Sequence, residues 1–567
     1  MEENMKKKII SIALLVCLIA SAVISCSPDK KPNDESEKKD SLGSEYSDVT
    51  DIEETEETDK TEAEDTKEET KAETETDTEV DTETETETET ETEEETETEN
   101  KYDVYDDLGD DIDFGGDEIV IANVDRSLYH DEIAVDRYSG DLVKDAVFKR
   151  NQQVEKRLNI RIKNERVANA GKNQYSVSDA LRANANSGTH VYDLISSPVY
   201  CTLMYTGENI LYDLNKIDAL DLSKPYWSQY FNETASIGNS QYMATGAVSL
   251  SYYRFLYVTI LNENVLTSVD GAPTASELIE IVNQDKWTLE YQKTLAASYY
   301  SDEGMSGKDE SDKFGFITTD YNGVDPYWSS CEITMLDKND NNYYVYNLDN
   351  SLLHNVTDKV LELFSAEATW CVPHNPAHET GTGEWPAIYE MFATGNHLMA
   401  TIRLGGVEEY AISNMSDDYM ILPIPKYSED QDTYYSFVQD SFTGMAIPAS
   451  APDWDLEKFG TVMEAFASES YRTVTPAYYE TALKTRYAGS PESVEMLDMI
   501  TQNVYIDGGA IYTKSLKNVS QLFRNVVRDE IRGGSGNTIM STYSEDYAES
   551  VRLALKELQE GIIALNK

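Results

Sequence analysis

The chain has 567 residues, and 106 acidic against 46 basic side chains give it a net charge of −60. A surface this acidic repels phosphates, which excludes nucleic-acid binding. Of five cysteines, Cys17 and Cys26 fall in the first apolar stretch, and the odd remainder of Cys201, Cys331 and Cys371 excludes a full disulfide framework, so the fold must stand on its core.

The N-terminus reads as an export signal. Met5-Lys6-Lys7-Lys8 supplies positive charge, residues 9–24 are almost unbroken apolar sequence, and polar sequence follows Cys26. Val23-Ile24-Ser25-Cys26 resembles the bacterial lipobox, which implies lipidation of Cys26 and a lipid anchor outside the cytoplasm. An uncleaved membrane anchor is the competing reading, since the run is nearly long enough to span a bilayer. Low-complexity sequence follows, and residues 74–99 are a near-perfect alternation of Thr with Glu or Asp. No apolar face is available to bury, so 26–116 is expected to be a disordered acidic tether. Between Lys31 and Asp117 lie 39 acidic and 7 basic residues, more than half of the net charge. A cation-binding or adhesive tail is the alternative.

From Asp117 the pattern becomes globular. Residues 117–122 read as a strand, and 141–158 as a helix with Leu142, Val143, Ala146, Val147, Val154 and Leu158 on one face. A strand at 159–162, a helix from Val177 and a strand at 192–196 complete the rhythm of a parallel α/β sheet. Ligands in such sheets sit at the carboxyl ends of strands. That rule nominates Asp125 and Arg126 after the first strand, against ordinary loop solvation. It nominates Ser197 and Tyr200 after the third, against helix capping by Ser197. Further helices are predicted at 274–282, 357–364, 386–393, 456–467 and 544–560. A strand at 419–422 runs into Pro423-Ile424-Pro425, a stiff extended segment suited to crossing between lobes.

Several segments resemble one family. Residues 140–160, Leu220-Asp221-Leu222-Ser223-Lys224-Pro225-Tyr226-Trp227, the turn Phe392-Ala393-Thr394-Gly395, residues 421–427 and residues 469–484 are similar to family 1 extracellular solute-binding lipoproteins of ABC importers. The resemblance implies a two-lobe α/β fold of the type II periplasmic-binding-protein kind, joined by hinge strands that close on a ligand. Lobe one would be 118–245 with 427–468, and lobe two 249–418 with 469–567, with 421–426 as one hinge. It also implies a monomer that takes a small-molecule sugar or oligosaccharide, hands it to ABC permease subunits and touches the membrane only through its lipid.

Asp325-Pro326-Tyr327-Trp328 looks like the acidic–Pro–aromatic–aromatic loop of maltose-binding relatives, whose acidic and first aromatic positions touch ligand. The resemblance transfers that role to Asp325 and Tyr327, and Trp328 is added for its flat face. The bland reading is a core tryptophan beside a surface tyrosine. Arg403, beside the apolar run 398–402, is expected to hold a ligand group or simply Glu408. The stacking tryptophan of maltose-type relatives is missing nearby, so ligand identity does not transfer. Trp227 and Trp287 fall at structural positions, and Trp370 and Trp385 flank a loop suited to a lid.

Catalysis finds little support. Cys371, His374 and His378 have metal-ligand spacing, but Pro373 and Pro376 forbid a single helical face, and no metal or cofactor is expected. Hydrolase motifs such as G-x-S-x-G and HExxH are missing. The expectation is therefore a binding protein and not an enzyme, with a secreted carbohydrate-active hydrolase or a surface carbohydrate adhesin as alternatives.

Overall fold

The structure is a computed structural model and describes residues 100–168, 174–304, 307–348, 350–373, 384–534 and 545–567. Cys26, the export signal, the Thr/Glu run, His374 and His378 lie outside the described residues. No described helix is long and apolar enough to cross a membrane.

Thirteen strands are described: β1 Asp117–Val124, β2 Ile160–Val167, β3 Leu194–Pro198, β4 Tyr257–Asn262, β5 Phe316–Thr319, β6 Leu336–Lys338, β7 Tyr344–Tyr346, β8 Thr369–Val372, β9 Met399–Arg403, β10 Tyr419–Leu422, β11 Ser436–Phe437, β12 Thr443–Ala446 and β13 Val504–Tyr505. They form two principal sheets. The first has the order β12-β3-β1-β2, with β1 parallel to β2 and β3 and only β12 reversed. The second has the order β10-β4-β9-β5-β8, with a parallel β9-β5-β8 half and an antiparallel β10-β4-β9 half. This is a two-lobe α/β fold joined by hinge strands, the architecture that the sequence implied.

Local chemistry accounts for the first sheet. Ile119 and Ile121 of β1 enter one apolar cluster, while Ala122 and Val124 enter another on the opposite face. A strand buried on both faces needs near-continuous apolar residues, which β1 has. The helix Leu142–Leu158 starts where the Asp141 carboxylate accepts the Val143 and Lys144 N–H groups, and it ends at Asn159 in left-handed geometry. The predicted helix at 274–282 is Ala275–Asn283, with Thr274 and Glu277 making a reciprocal capping box.

Three boundaries differ from expectation. Packing begins before Gly116: Tyr102 is buried and donates its hydroxyl to Glu480 at 2.7 Å, and both oxygens of Asp106 accept from Arg157. An acidic composition hid these two anchors from a reading based on charge. The predicted helix at 456–467 runs to Pro476 and continues as a π-helical stretch Ala477–Tyr487, so a lobe boundary at 468 would cut a helix in its interior. The third concerns the crossing. Pro423 to Lys426 stays in the second lobe, where Lys426 bridges Thr288 and the Pro423 carbonyl accepts from Trp287 Nε1.

The strands that join the lobes lie elsewhere. One segment leaves the first sheet at Ala244, which bridges Met445, and enters β4 at Tyr257. A second returns through Val438, which bridges Leu256, and enters β12 at Thr443. The long helix and its π-helical extension make the third crossing, ending in the helix Glu492–Gln502.

Candidate functional site

The chain that follows β1 in one sheet and the last residue of β9 in the other both reach these crossings. Tyr129, which follows β1, packs edge-on against Phe255 at 6.2 Å and donates its hydroxyl to the Ser441 carbonyl at 2.9 Å. Burial pushes the Tyr129 hydroxyl above its usual range, while Arg126 from one lobe and Arg403 from the other pull it back. Two guanidinium groups from opposite lobes therefore act on one phenol.

Arg403 is the last residue of β9 and pairs in register with Tyr257, the first residue of β4. Its guanidinium lies 4.9 Å from the Phe255 ring centre and 5.1 Å from that of Trp385, with Gln439 Oε1 at 3.5 Å. Glu408 does not hold it. That carboxylate accepts from Arg254 at 2.9 Å and from the Tyr478 hydroxyl at 2.7 Å. Trp385 stands on the helix Glu384–Ala393 with its ring 6.0 Å from that of Tyr257.

The wall of the first lobe carries Arg126 and Tyr200. Arg126 donates to Gln174 Oε1 at 3.3 Å, and Gln174 Nε2 donates to the Tyr200 hydroxyl. Lys514 Nζ approaches the Tyr200 ring at 5.6 Å. Asp125 is turned aside and bonds His130 Nε2 at 3.0 Å. Ser197 is not a wall residue: it lies within β3, fully buried opposite Gly444, because the strand runs two residues past the predicted end.

Asp325, Tyr327 and Trp328 separate for a helical reason. Pro326 opens a single turn, Pro326–Ser330, in which positions three apart share a face and positions two apart do not. Asp325 and Trp328 accordingly line one cavity with Phe437, Asp440, Asp507 and Arg524. Tyr327 faces the core, fully buried, with its hydroxyl 3.2 Å from Gln292 Oε1 and 3.1 Å from the Thr401 hydroxyl. Its role as a ligand contact is corrected to a packing role. Both Asp325 oxygens accept from Arg524, which lies over the Tyr321 ring at 4.3 Å. The cavity has about 20 Å³ of free volume, room for one water and too little for a sugar ring.

Tyr257 joins the two halves of the site. Burial and the Asp325 carboxylate raise its hydroxyl well above the usual range, and Arg403 and Arg524 pull it down. Phe255, Tyr257, Gln439, Arg524 and Lys514 were missed by sequence reasoning. Trp227 and Trp287 are buried, with their indole N–H groups held by Glu464 and the Pro423 carbonyl. Cys201, Cys331 and Cys371 are free thiols, and no group of metal-ligating side chains occurs among the described residues.

No family model matches the chain, and no curated protein matches it. Solved structures do. A cyclo/maltodextrin-binding protein complexed with maltotetraose is 13% identical, with a TM-score of 0.46 over 79% of this chain and 97% of its own. An ABC transporter solute-binding protein from Agrobacterium radiobacter K84, in complex with ribitol, is 14% identical with a TM-score of 0.45 over 79% and 99%. The GacH receptor of Streptomyces glaucescens GLA.O, solved unliganded and with acarbose, is 12% identical with a TM-score of 0.47 over 78% and 99%.

Proposed function

We propose that this protein is an extracytoplasmic solute receptor that takes a sugar or oligosaccharide into the cleft between its lobes and delivers it to an ABC importer. One observation carries the reading: Tyr129, which follows β1 of one sheet, and Arg403, which ends β9 of the other, both pack on Phe255 of a segment that crosses between the lobes. A guest in that cleft touches both lobes only when they are closed, so binding energy favours closure. The planar groups of Arg126, Arg403 and Gln439 suit sugar hydroxyls, and the buried Phe255 and Trp385 rings hold the Arg403 guanidinium between them. The receptor acts as a monomer, and a lipid on Cys26 holds it to the outer face of the membrane. It performs no chemistry on its guest.

Intrinsic tryptophan fluorescence titrated with a panel of saccharides tests this. A saturable change with the saccharide recovered intact is expected, together with a smaller radius of gyration in solution scattering. Recovery of cleavage products would replace the receptor by a hydrolase. Lipid labelling that survives Cys26→Ala would overturn the anchor.

A further inference from the structure

The cleft holds cations that the protein does not neutralise. Arg403 is half-buried between Phe255 and Trp385, and its hydrogen-bond partners are neutral: the Tyr389 hydroxyl, and Gln439 Oε1 at 3.5 Å, the outer limit of such contacts. Among the described residues no carboxylate lies within ion-pair distance of it, since Glu408 is occupied by Arg254 and Tyr478. Lys514 is also half-buried, over the Tyr200 and Tyr175 rings at 5.6 and 5.9 Å, and it too has no carboxylate partner among the described residues. A chain with 106 acidic residues has counter-charges to spare. Leaving two partly desolvated cations unpaired in the cleft is costly unless a negative charge arrives from outside.

We propose that the ligand is an acidic saccharide, a sugar chain bearing carboxylates that Arg403 and Lys514 receive. The inference rests on the receptor reading and adds the ligand's charge. A guanidinium presents a planar fork that fits a carboxylate in two parallel hydrogen bonds, and the buried Phe255 and Trp385 rings beside Arg403 hold that fork in place. The ammonium of Lys514, over the Tyr200 and Tyr175 rings, supplies a second point charge. Asp325 does not oppose this, because Arg524 already neutralises it.

The test is calorimetric titration of the protein with digalacturonate and trigalacturonate, and with neutral galactose oligomers of the same lengths. Saturable binding of the acidic set is expected, at least about 10-fold tighter than the neutral set and weakening as salt is raised. Arg403→Gln should lose about 10- to 100-fold in affinity for the acidic set, the range for one charge-assisted contact. Arg403→Lys should recover part of it, and an unchanged melting temperature separates the effect from misfolding. Tight binding of the neutral set, indifferent to salt and to Arg403→Gln, would overturn the acidic ligand and leave the receptor standing. Failure of both sets to bind would bring down both readings.

Discussion

The carboxylate of Glu132 accepts the hydroxyl of Thr443 at 2.7 Å, and it also accepts the backbone N–H of Ser251. Ser251 lies in the short helix Leu250–Arg254 on one crossing segment and Thr443 begins β12 at the end of the other, so one fully buried side chain of the first lobe fastens both. Glu132→Ala leaves the Ser251 N–H buried without its acceptor and takes the carboxylate from the Thr443 hydroxyl, which keeps only the Ser249 and Ser251 hydroxyls. The expected loss is about 2–4 kcal/mol of unfolding free energy, read from urea denaturation. Thr443→Val should cost about 1 kcal/mol, and the double variant less than the sum, because the two residues share one bond.

Asp507 sets a pH dependence. It lies at the start of the short helix Gly508–Ile511, accepts the Met335 and Gly509 N–H groups, and is pushed by burial up to about 6. The folded state therefore binds a proton more tightly than the unfolded chain does. Its contribution to stability is complete below about pH 3.8 and is lost as pH rises through about 6. Two pH units correspond to roughly 3 kcal/mol. Asn also caps helices but does not titrate. Melting temperatures recorded between these limits should fall further with pH in the parent than in Asp507→Asn, and parallel curves would refute the assignment.

Tyr102 and Asp106 predict that the segment before β1 is structural. Removing residues up to 116 strips the Asp106 partner from Arg157 and uncovers the surface that Tyr102 fills beside Tyr471. Tyr102→Ala alone is expected to cost about 2–4 kcal/mol, the usual range for deleting a large buried side chain. Limited proteolysis checks the same point, because cleavage should stop short of residue 100 and spare the segment 100–116.

Much of the fold was legible because its signals are local. A strand buried on both faces is a near-continuous apolar run, as at 119–124, and an amphipathic helix repeats its apolar face, as at 142–158. The strand-end rule picks out the loops after β1 and β3, where Arg126 and Tyr200 are joined through Gln174. The rest of the site was not legible, because it is built by pairing distant positions. Phe255 and Arg403 meet through the antiparallel register of β4 with β9, and Gln439 joins them from a later crossing strand. No periodicity in either segment encodes that meeting. Tyr327 was misplaced for a different reason: nothing in Asp325-Pro326-Tyr327-Trp328 shows which way a single turn faces until its neighbours are in place.

That turn yields a sharp contrast between adjacent aromatics. Tyr327 donates to or accepts from Gln292 and Thr401 inside the second lobe and has no surface on the cavity. Tyr327→Phe keeps the ring against Phe364 and removes only the hydroxyl, at an expected cost of about 1 kcal/mol in stability with saccharide affinity unchanged. Trp328 lines the cavity with Asp325, and its buried indole N–H has no partner among the described residues. Trp328→Phe keeps an apolar ring there but takes away the flat indole face and its donor. If the cavity opens to the ligand when the lobes part, Trp328→Phe should weaken saccharide binding by about 10-fold while Tyr327→Phe does not. Calorimetry on the two variants decides it: equal affinities would detach this cavity from the binding cleft and leave Arg403 and its aromatic neighbours as the ligand's seat.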